Sequence, residues 1–219
     1  MDGLSLRPLI ASEMKALLST TYFGPVQWYQ KLVAYPEVLI ECHDSYVKQT
    51  YRNRCLIASA NGVQALTVPV TIEIPALGSQ LIRVSDHGNW RHQHWQALTS
   101  AYGDSPFFQY YEDDLRPFFT ERWELLHDYN EAIRSKMCEL IDIQPHVSFT
   151  SEYQKTGDFI DFRETIHPKH PQPDADFKAR RYYQVYERRH GFLPNLSVLD
   201  LLFNMGPESI FYLLPDNDV

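Results

Sequence analysis

Two short apolar runs near the start of the chain, separated by one helical segment, constrain its fold more than any other feature. KALLST at 15–20 and EVLIEC at 37–42 flank GPVQWYQKLVAY, in which Gly24 can turn and Pro25 can occupy the first helical position. A strand, helix and strand unit of this kind normally has parallel strands and a right-handed crossover. Ligands of open α/β sheets bind at the carboxyl ends of such strands. We therefore expect a pocket where the two runs end.

The polar side chains at those two strand ends are the candidate site. His43 and Asp44 follow the second run, and a histidine or carboxylate in a half-buried pocket can serve as a general base, so we expect catalysis there. Tyr22 and Gln27 lie in and after the crowded turn and are expected to orient a substrate. The amides of the helix that starts near Pro25 are expected to bind the anionic part of that substrate. The aromatic residues of the turn are equally well explained as core side chains.

A hairpin with basic residues on its first strand follows. Asn61-Gly62 between two β-like runs is a strong hairpin signal. Arg52 and Arg54 are two apart, so on a strand both project from one face and could bind a phosphate or carboxylate together, with Lys48 adding charge. Asn53 is expected to orient the substrate. A charged edge strand that resists aggregation is the alternative interpretation.

Helical patterns dominate the second half of the chain. NWRHQHWQALTSAYG at 89–103 and ERWELLHDYNEAIRSKMCELI at 121–141 both show an apolar face. His92 and His94 would lie about half a turn apart, so they could not bind one metal ion, and we expect no metal site. PHVSFTSEY predicts a strand that returns to the sheet, and the segment at 155–180 is expected to be mostly loop.

The last helical pattern, FLPNLSVLDLLFNMGPES, contains its own start and stop signals. Ser197 with Asp200 resembles a capping box, and Gly206 ends the helix. Asn195 and Asn204 have no comparable structural explanation. They are therefore added to the substrate-binding candidates.

Length, hydrophobic fraction and net charge indicate what class of protein this chain is. The 219 residues, 44% of them hydrophobic, are expected to form one domain over 1–219, with a loose leader at 1–14. The expected fold is α/β, with a partly parallel sheet, an N-terminal strand-helix-strand unit, a β-hairpin and a helical C-terminal half. A net charge of −8 argues against nucleic-acid binding. The chain has no apolar run of about 20 residues, so we expect no membrane insertion and a cytoplasmic location.

Several common catalytic signatures are missing from the sequence. It contains no G-x-S-x-G, P-loop, G-x-G-x-x-G, H-E-x-x-H or C-x-x-C motif. Its three cysteines are far apart and are expected to be reduced and mostly buried. The sequence thus names no cofactor, reaction or oligomeric state.

Five segments, taken in order, resemble the WbqC-like family of bacterial proteins linked to surface polysaccharide (O-antigen) biosynthesis. They are YFGPVQWYQKL, YVKQTYRNRCLI, LTVPV, AYGDSPFFQYY and FLPNLSVLDLLFNMGPES. The resemblance implies an enzyme, most simply a transferase, that modifies a nucleotide sugar or amino sugar by acyl or aminoacyl transfer. It also allows a non-catalytic sugar-binding or assembly protein that partners glycosyltransferases. An enzyme should gather the polar candidates in one cleft, whereas a binding protein should show an exposed aromatic patch.

Overall fold

The computed structural model describes residues 14–72 and 81–215. The leader expected at 1–14 lies outside these residues except for its last position. In the described part, no helix is long and apolar enough to cross a membrane.

The elements follow the order expected of an α/β chain with a helical second half. In chain order they are β1 (Lys15–Ser19), α1 (Val26–Ala34), β2 (Val38–Glu41), β3 (Arg54–Ser59), β4 (Gly62–Thr67), β5 (Val70–Thr71), β6 (Arg83–Val84), α2 (Trp90–Tyr102), α3 (Phe108–Leu115), α4 (Pro117–Thr120), α5 (Leu126–Ile141), β7 (Val147–Phe149), β8 (Phe159–Asp161), α6 (Glu187–His190), α7 (Val198–Met205) and a 3-10 helix (Gly206–Tyr212).

A four-stranded parallel sheet in the order β7-β2-β1-β8 forms the centre of the fold. Its two middle strands are the predicted apolar runs, and α1 connects them as expected. Leu18 pairs with Ile40, and both are fully buried. Strands buried on both faces need this nearly continuous apolar sequence. Pro25 caps α1, which begins one residue later than predicted.

The predicted hairpin is confirmed as β3 and β4, which pair antiparallel. Its turn requires glycine, because Gly62 has a φ of 103°. Strands β5 and β6 form a second, two-stranded antiparallel pair.

The long predicted helix is present as α5, which starts at Leu126, five positions after the start of the predicted pattern. The predicted return strand is β7, which pairs with β2. Residues 159–161 are a correction to the segment expected to be mostly loop, because they form β8 along the other side of β1.

The C-terminal helix α7 is tied to the turn after β1. Ser197 caps it by accepting a hydrogen bond from the Leu199 amide at 3.3 Å, and the Ser197 hydroxyl donates to the Phe23 carbonyl at 2.8 Å. The turn after β1, which borders the candidate site, is therefore held in place by α7.

Candidate functional site

Asp44 and Arg52 meet at the carboxyl edge of the parallel sheet. The Arg52 guanidinium forms an ion pair with Asp44, and its Nη2 also donates to Ser19 Oγ at 2.9 Å. Only 5% of the Arg52 side chain and 8% of the Asp44 side chain are exposed. Two of the predicted site residues are therefore brought together where β1 ends.

Arg52 also lines a small cavity, whereas Asp44 is not among the residues that line it. The volume of the cavity is about 10 Å³, which admits about one water-sized group. The side chains that line it come from β1, the turns that follow β1 and β2, and the segment after β8, and include Leu18, Thr20, Arg52, Phe162, Arg163 and Ile166.

Three buried polar atoms in this region lack a hydrogen-bond partner. They are Asp44 Oδ1, Arg52 Nε and Thr20 Oγ1, for which no partner is found among the described residues. Most buried polar atoms in folded proteins are hydrogen-bonded, because an unpaired one costs about 1–3 kcal/mol. Seven further buried side-chain atoms of the described residues share this property, so the unpaired atoms gain weight here only from their position at the carboxyl edge of the sheet.

A second buried ion pair, Glu41 with Arg163, borders the same edge and was missed by the sequence analysis. The Glu41 side chain is fully buried and accepts from Arg163 Nη1 at 3.1 Å, the Gln154 amide at 2.9 Å and the Thr150 hydroxyl at 2.8 Å. An acidic residue at the end of an otherwise apolar strand was the available signal for Glu41. Arg163 also pairs with Asp161.

His43 lies beside this edge but does not line the cavity. Its Nε2 is 3.1 Å from the Thr150 carbonyl, which can only accept, so Nε2 carries the proton of the neutral ring. Nδ1 then has a free lone pair, and no hydrogen bond to it is found in the described part of the chain. The His43 side chain is half-buried. This tautomer suits a general base.

The two predicted arginines do not act from one strand face. Arg52 precedes β3, which starts at Arg54, so the alternation that the prediction assumed does not apply. Arg54 Nε donates instead to Thr67 Oγ1 at 3.0 Å. Both arginines nevertheless lie near Tyr46. Burial raises the pKa of Tyr46, although Arg52, Arg54 and a hydrogen bond with Asn53 lower it.

The remaining basic and amide candidates on this segment differ in exposure. Lys48 is exposed, and the ion pairs found among the described residues do not include it or Arg54. Asn53 is buried and donates to the Val68 carbonyl at 2.7 Å, which holds the start of the hairpin.

Gln27 and Asn195 contact each other, away from the cavity lining. Asn195 Nδ2 donates to Gln27 Oε1 at 2.9 Å, and Asn195 Oδ1 accepts from the Gln27 amide at 2.9 Å. The neighbouring Val26 amide donates to the Leu196 carbonyl at 3.0 Å. The first amides of α1, which were expected to bind an anion, are thus already occupied.

Tyr22 and Asn204 also lie in the protein core. The Tyr22 hydroxyl is 2.9 Å from His94 Nδ1, and burial lowers the pKa of His94 to about 4, so that ring is neutral at pH 7. Asn204 Nδ2 donates to the Asp200 carbonyl at 2.7 Å within α7. Tyr22 and Asn204 therefore both make structural contacts, in the core and within α7. Across 14–72 and 81–215, no three His, Cys, Asp or Glu side chains are grouped to hold a metal ion.

Comparison with known proteins identifies a relative of this chain and the family to which the chain belongs. "Uncharacterized protein Rv1507c" of Mycobacterium tuberculosis is 27% identical over 225 residues, which cover 90% of this chain and 96% of the relative. No solved structure shows a significant match. The model of the WbqC-like protein family matches residues 20–169, which is more than half of the chain and includes α1 and β2 but begins just after β1. The chain therefore belongs to the WbqC-like protein family.

Proposed function

We propose that this protein is an enzyme of cell-surface polysaccharide (O-antigen) biosynthesis that acts on a nucleotide sugar or amino sugar. The observation that carries the proposal is the buried Asp44–Arg52 pair, in which Asp44 Oδ1 and Arg52 Nε have no partner among the described residues. Arg52 also lines a small cavity. Its location at the carboxyl edge of a parallel sheet is the usual ligand position in such folds. The three cysteines are buried and form no disulfide among the described residues, which supports a location in a reducing compartment such as the cytoplasm.

His43 is the general base of this proposal, with Asp44 beside it. The Nδ1 lone pair of His43 is free to accept a proton from a substrate hydroxyl or amine. In an acyl or aminoacyl transfer, that oxygen or nitrogen bonds to the acyl carbon as the bond from the acyl carbon to its carrier breaks. The proton lost by the acceptor passes to His43.

Arg54 and Lys48 are the proposed phosphate contacts. Neither is in an ion pair with a described carboxylate, and Arg54 lies near the half-buried Tyr46 hydroxyl. A guanidinium can bind two phosphate oxygens at once, whereas the exposed Lys48 would add a point charge.

A non-catalytic sugar-binding protein is the second candidate, and one observation favours it. Phe149 and Tyr153 are 48% and 46% exposed near the carboxyl end of β7. The Arg163 guanidinium lies over the Tyr153 ring at 4.9 Å. Exposed aromatic faces of this kind stack on sugar rings.

A thermal-shift screen with UDP-N-acetylglucosamine, UDP-galactose, GDP-mannose, dTDP-glucose and free glucosamine tests binding. A ligand selective for the native state raises the unfolding midpoint. We expect a rise with at least one nucleotide sugar, reduced in Arg54→Met and kept in Arg122→Met, a matched control whose side chain is 85% exposed. No rise with any probe would contradict the proposal.

Mass spectrometry of the bound sugar after incubation with acetyl-CoA, or with amino acids and ATP, separates the two candidates. The enzyme should add an acyl or aminoacyl mass, and His43→Ala should abolish the addition while the thermal shift remains. Binding without any mass change, lost in Tyr153→Ala, would favour the sugar-binding protein.

A further inference from the structure

We infer that Glu41 is a positioning residue, which holds the His43 imidazole in the orientation and tautomer that a general base needs. This inference rests on the proposed function, in which His43 accepts the proton of the substrate. It adds to that function a residue that does not itself touch the substrate.

One oxygen of Glu41 joins the two residues whose contact fixes the His43 ring. Glu41 Oε1 accepts from the His43 backbone amide at 2.8 Å and from the Thr150 hydroxyl at 2.8 Å. The Thr150 carbonyl in turn accepts from His43 Nε2 at 3.1 Å, and such a bond decides which ring nitrogen carries the proton. The donor and the acceptor of this bond are therefore attached to the same carboxylate oxygen.

The second oxygen of Glu41 is occupied by two other donors. Glu41 Oε2 accepts from the Gln154 amide at 2.9 Å and from Arg163 Nη1 at 3.1 Å. A carboxylate has about four acceptor sites, and four donors fill them here. Because the Glu41 side chain is also fully buried, it has no acceptor site and no exposed surface to offer to a substrate.

Pairing of the strands does not account for this arrangement. Strand β2 pairs with β7 over Val38–Ile40 and Val147–Phe149, so the backbone joins the two strands without help from Glu41. Apolar side chains of similar volume often stabilise a protein as well as a buried ion pair does, so stability alone does not require a charge here. The residues that the charge holds, His43 and Thr150, lie just beyond the strand ends, where ligands of parallel α/β sheets bind.

Exchange of the His43 ring proton with water, measured by NMR on protein labelled with isotopic histidine, tests this inference. A ring N–H that donates to a fixed carbonyl exchanges slowly, and loss of its signal in His43→Ala assigns it. Glu41→Gln puts an amino group in place of one acceptor oxygen, so two of the four donors lose their acceptor. We expect the exchange rate to rise by on the order of 10-fold in this variant.

Glu37→Gln is the matched control. Glu37 lies just before β2, at the other end of the same strand, where it accepts from the Ser148 hydroxyl at 3.1 Å and pairs with Lys15. This variant should leave the exchange rate unchanged. The double variant Glu41→Leu/Arg163→Met removes both buried charges and carries the test if Glu41→Gln does not fold. It should raise the exchange rate as much as Glu41→Gln.

The transfer assay adds a readout that a merely structural role would not change. With a sugar and a donor that the wild type uses, Glu41→Gln should lower kcat by roughly 10- to 100-fold, because a small displacement of a catalytic group has a large effect on rate. KM should stay within about 2-fold of the wild type, since the groups that bind the substrate are unchanged.

The outcomes separate this inference from the proposed function. An exchange rate that is unchanged in both Glu41 variants would overturn the inference and leave the proposed function in place. A higher KM with an unchanged kcat would also overturn it, because Glu41 would then act in binding. If the wild type transfers no group to any sugar, the proposed function itself is wrong, whatever the exchange rates.

Discussion

Two buried ion pairs in this protein have opposite patterns of hydrogen bonding. Lys31 and Asp174 are 1% and 4% exposed at their side chains, and Arg52 and Asp44 are 5% and 8% exposed. Burial of two charges is costly in both cases and requires good geometry and further hydrogen bonds to offset it. The pairs differ in whether those further bonds are made.

The Lys31–Asp174 pair is fully supported. Lys31 Nζ contacts both Asp174 oxygens, at 3.0 and 2.8 Å, and lies 4.5 Å from the centre of the Phe162 ring. Asp174 also accepts from Gln27 Nε2 at 2.8 Å and from the Asp176 amide at 3.1 Å. This pair fixes the segment around residue 174 to α1.

The Asp44–Arg52 pair, in contrast, keeps Asp44 Oδ1 and Arg52 Nε free of described partners. Selection for stability alone favours complete pairing, as at Lys31. The incomplete pairing supports our proposal that a ligand supplies the missing partners of Asp44 and Arg52. Burial and charge do not distinguish the two pairs, whereas the count of unpaired atoms does.

The largest change in the free energy of unfolding is expected when Lys31 is replaced. Lys31→Met leaves Asp174 buried without its cation and should lower the free energy of unfolding by about 3–5 kcal/mol. Urea denaturation measures the loss. Lys15→Met removes an exposed pair with Glu37 and should cost about 1 kcal/mol or less. Equal losses in both variants would show that burial gives the Lys31–Asp174 pair no special structural role.

A somewhat smaller effect is expected at Asp200, a buried carboxylate hydrogen-bonded by neutral donors. Tyr102, Tyr182 and Gln184 donate to it at 2.9, 2.7 and 2.8 Å. Burial outweighs these bonds and raises the pKa of Asp200 from 3.8 to about 6. The native state then binds a proton more tightly than the unfolded state, so this stabilisation is complete below about pH 4 and is lost as the pH rises through 6.

Urea denaturation of the wild type and Asp200→Asn at pH 4 and pH 7 checks this sign. An increase in pKa from 3.8 to about 6 corresponds to about 3 kcal/mol. Because the unfolded carboxyl is already partly ionised at pH 4, the wild type should lose about 2.5 kcal/mol relative to the variant between the two pH values. Other titrating groups contribute equally to the free energy of unfolding of both proteins, so their contributions cancel in the difference. A difference independent of pH would show that Asp200 has an ordinary pKa.

The smallest change in stability is expected when both residues of the Asp44–Arg52 pair are replaced. The double variant Asp44→Leu/Arg52→Met removes both charges, and such replacements are often neutral or stabilising. We expect its free energy of unfolding to lie within about 1 kcal/mol of the wild type, or above it. A loss as large as that of Lys31→Met, measured in the same urea series, would make the pair structural.

Local pattern was sufficient for the centre of the fold. The apolar runs at 15–20 and 37–42, the turn at Gly24-Pro25 and the Asn61-Gly62 hairpin are all decided by neighbouring residues, and they are present. Strand β8 was not foreseen, because three residues at a sheet edge carry too short a pattern to distinguish from a loop.

Contacts between distant residues account for the rest. Arg163 meets Glu41 across 122 positions and Lys31 meets Asp174 across 143, and no local pattern encodes such pairs. The first amides of α1 looked available in the sequence, but Asn195 and Leu196 occupy them from the other end of the chain. The position of Asp44 was predictable, because β1 and β2 are parallel and their carboxyl ends lie at the same edge of the sheet.

A thermal-shift comparison of three proteins, with a nucleotide sugar that binds the wild type, tests whether Asp44 and Arg52 bind the ligand. We predict that Lys31→Met unfolds roughly 10 °C lower but keeps the ligand-induced rise. The double variant Asp44→Leu/Arg52→Met should unfold near the wild-type temperature and lose that rise. If the ligand still raised the unfolding temperature of the double variant, Asp44 and Arg52 would not be part of the ligand-binding site.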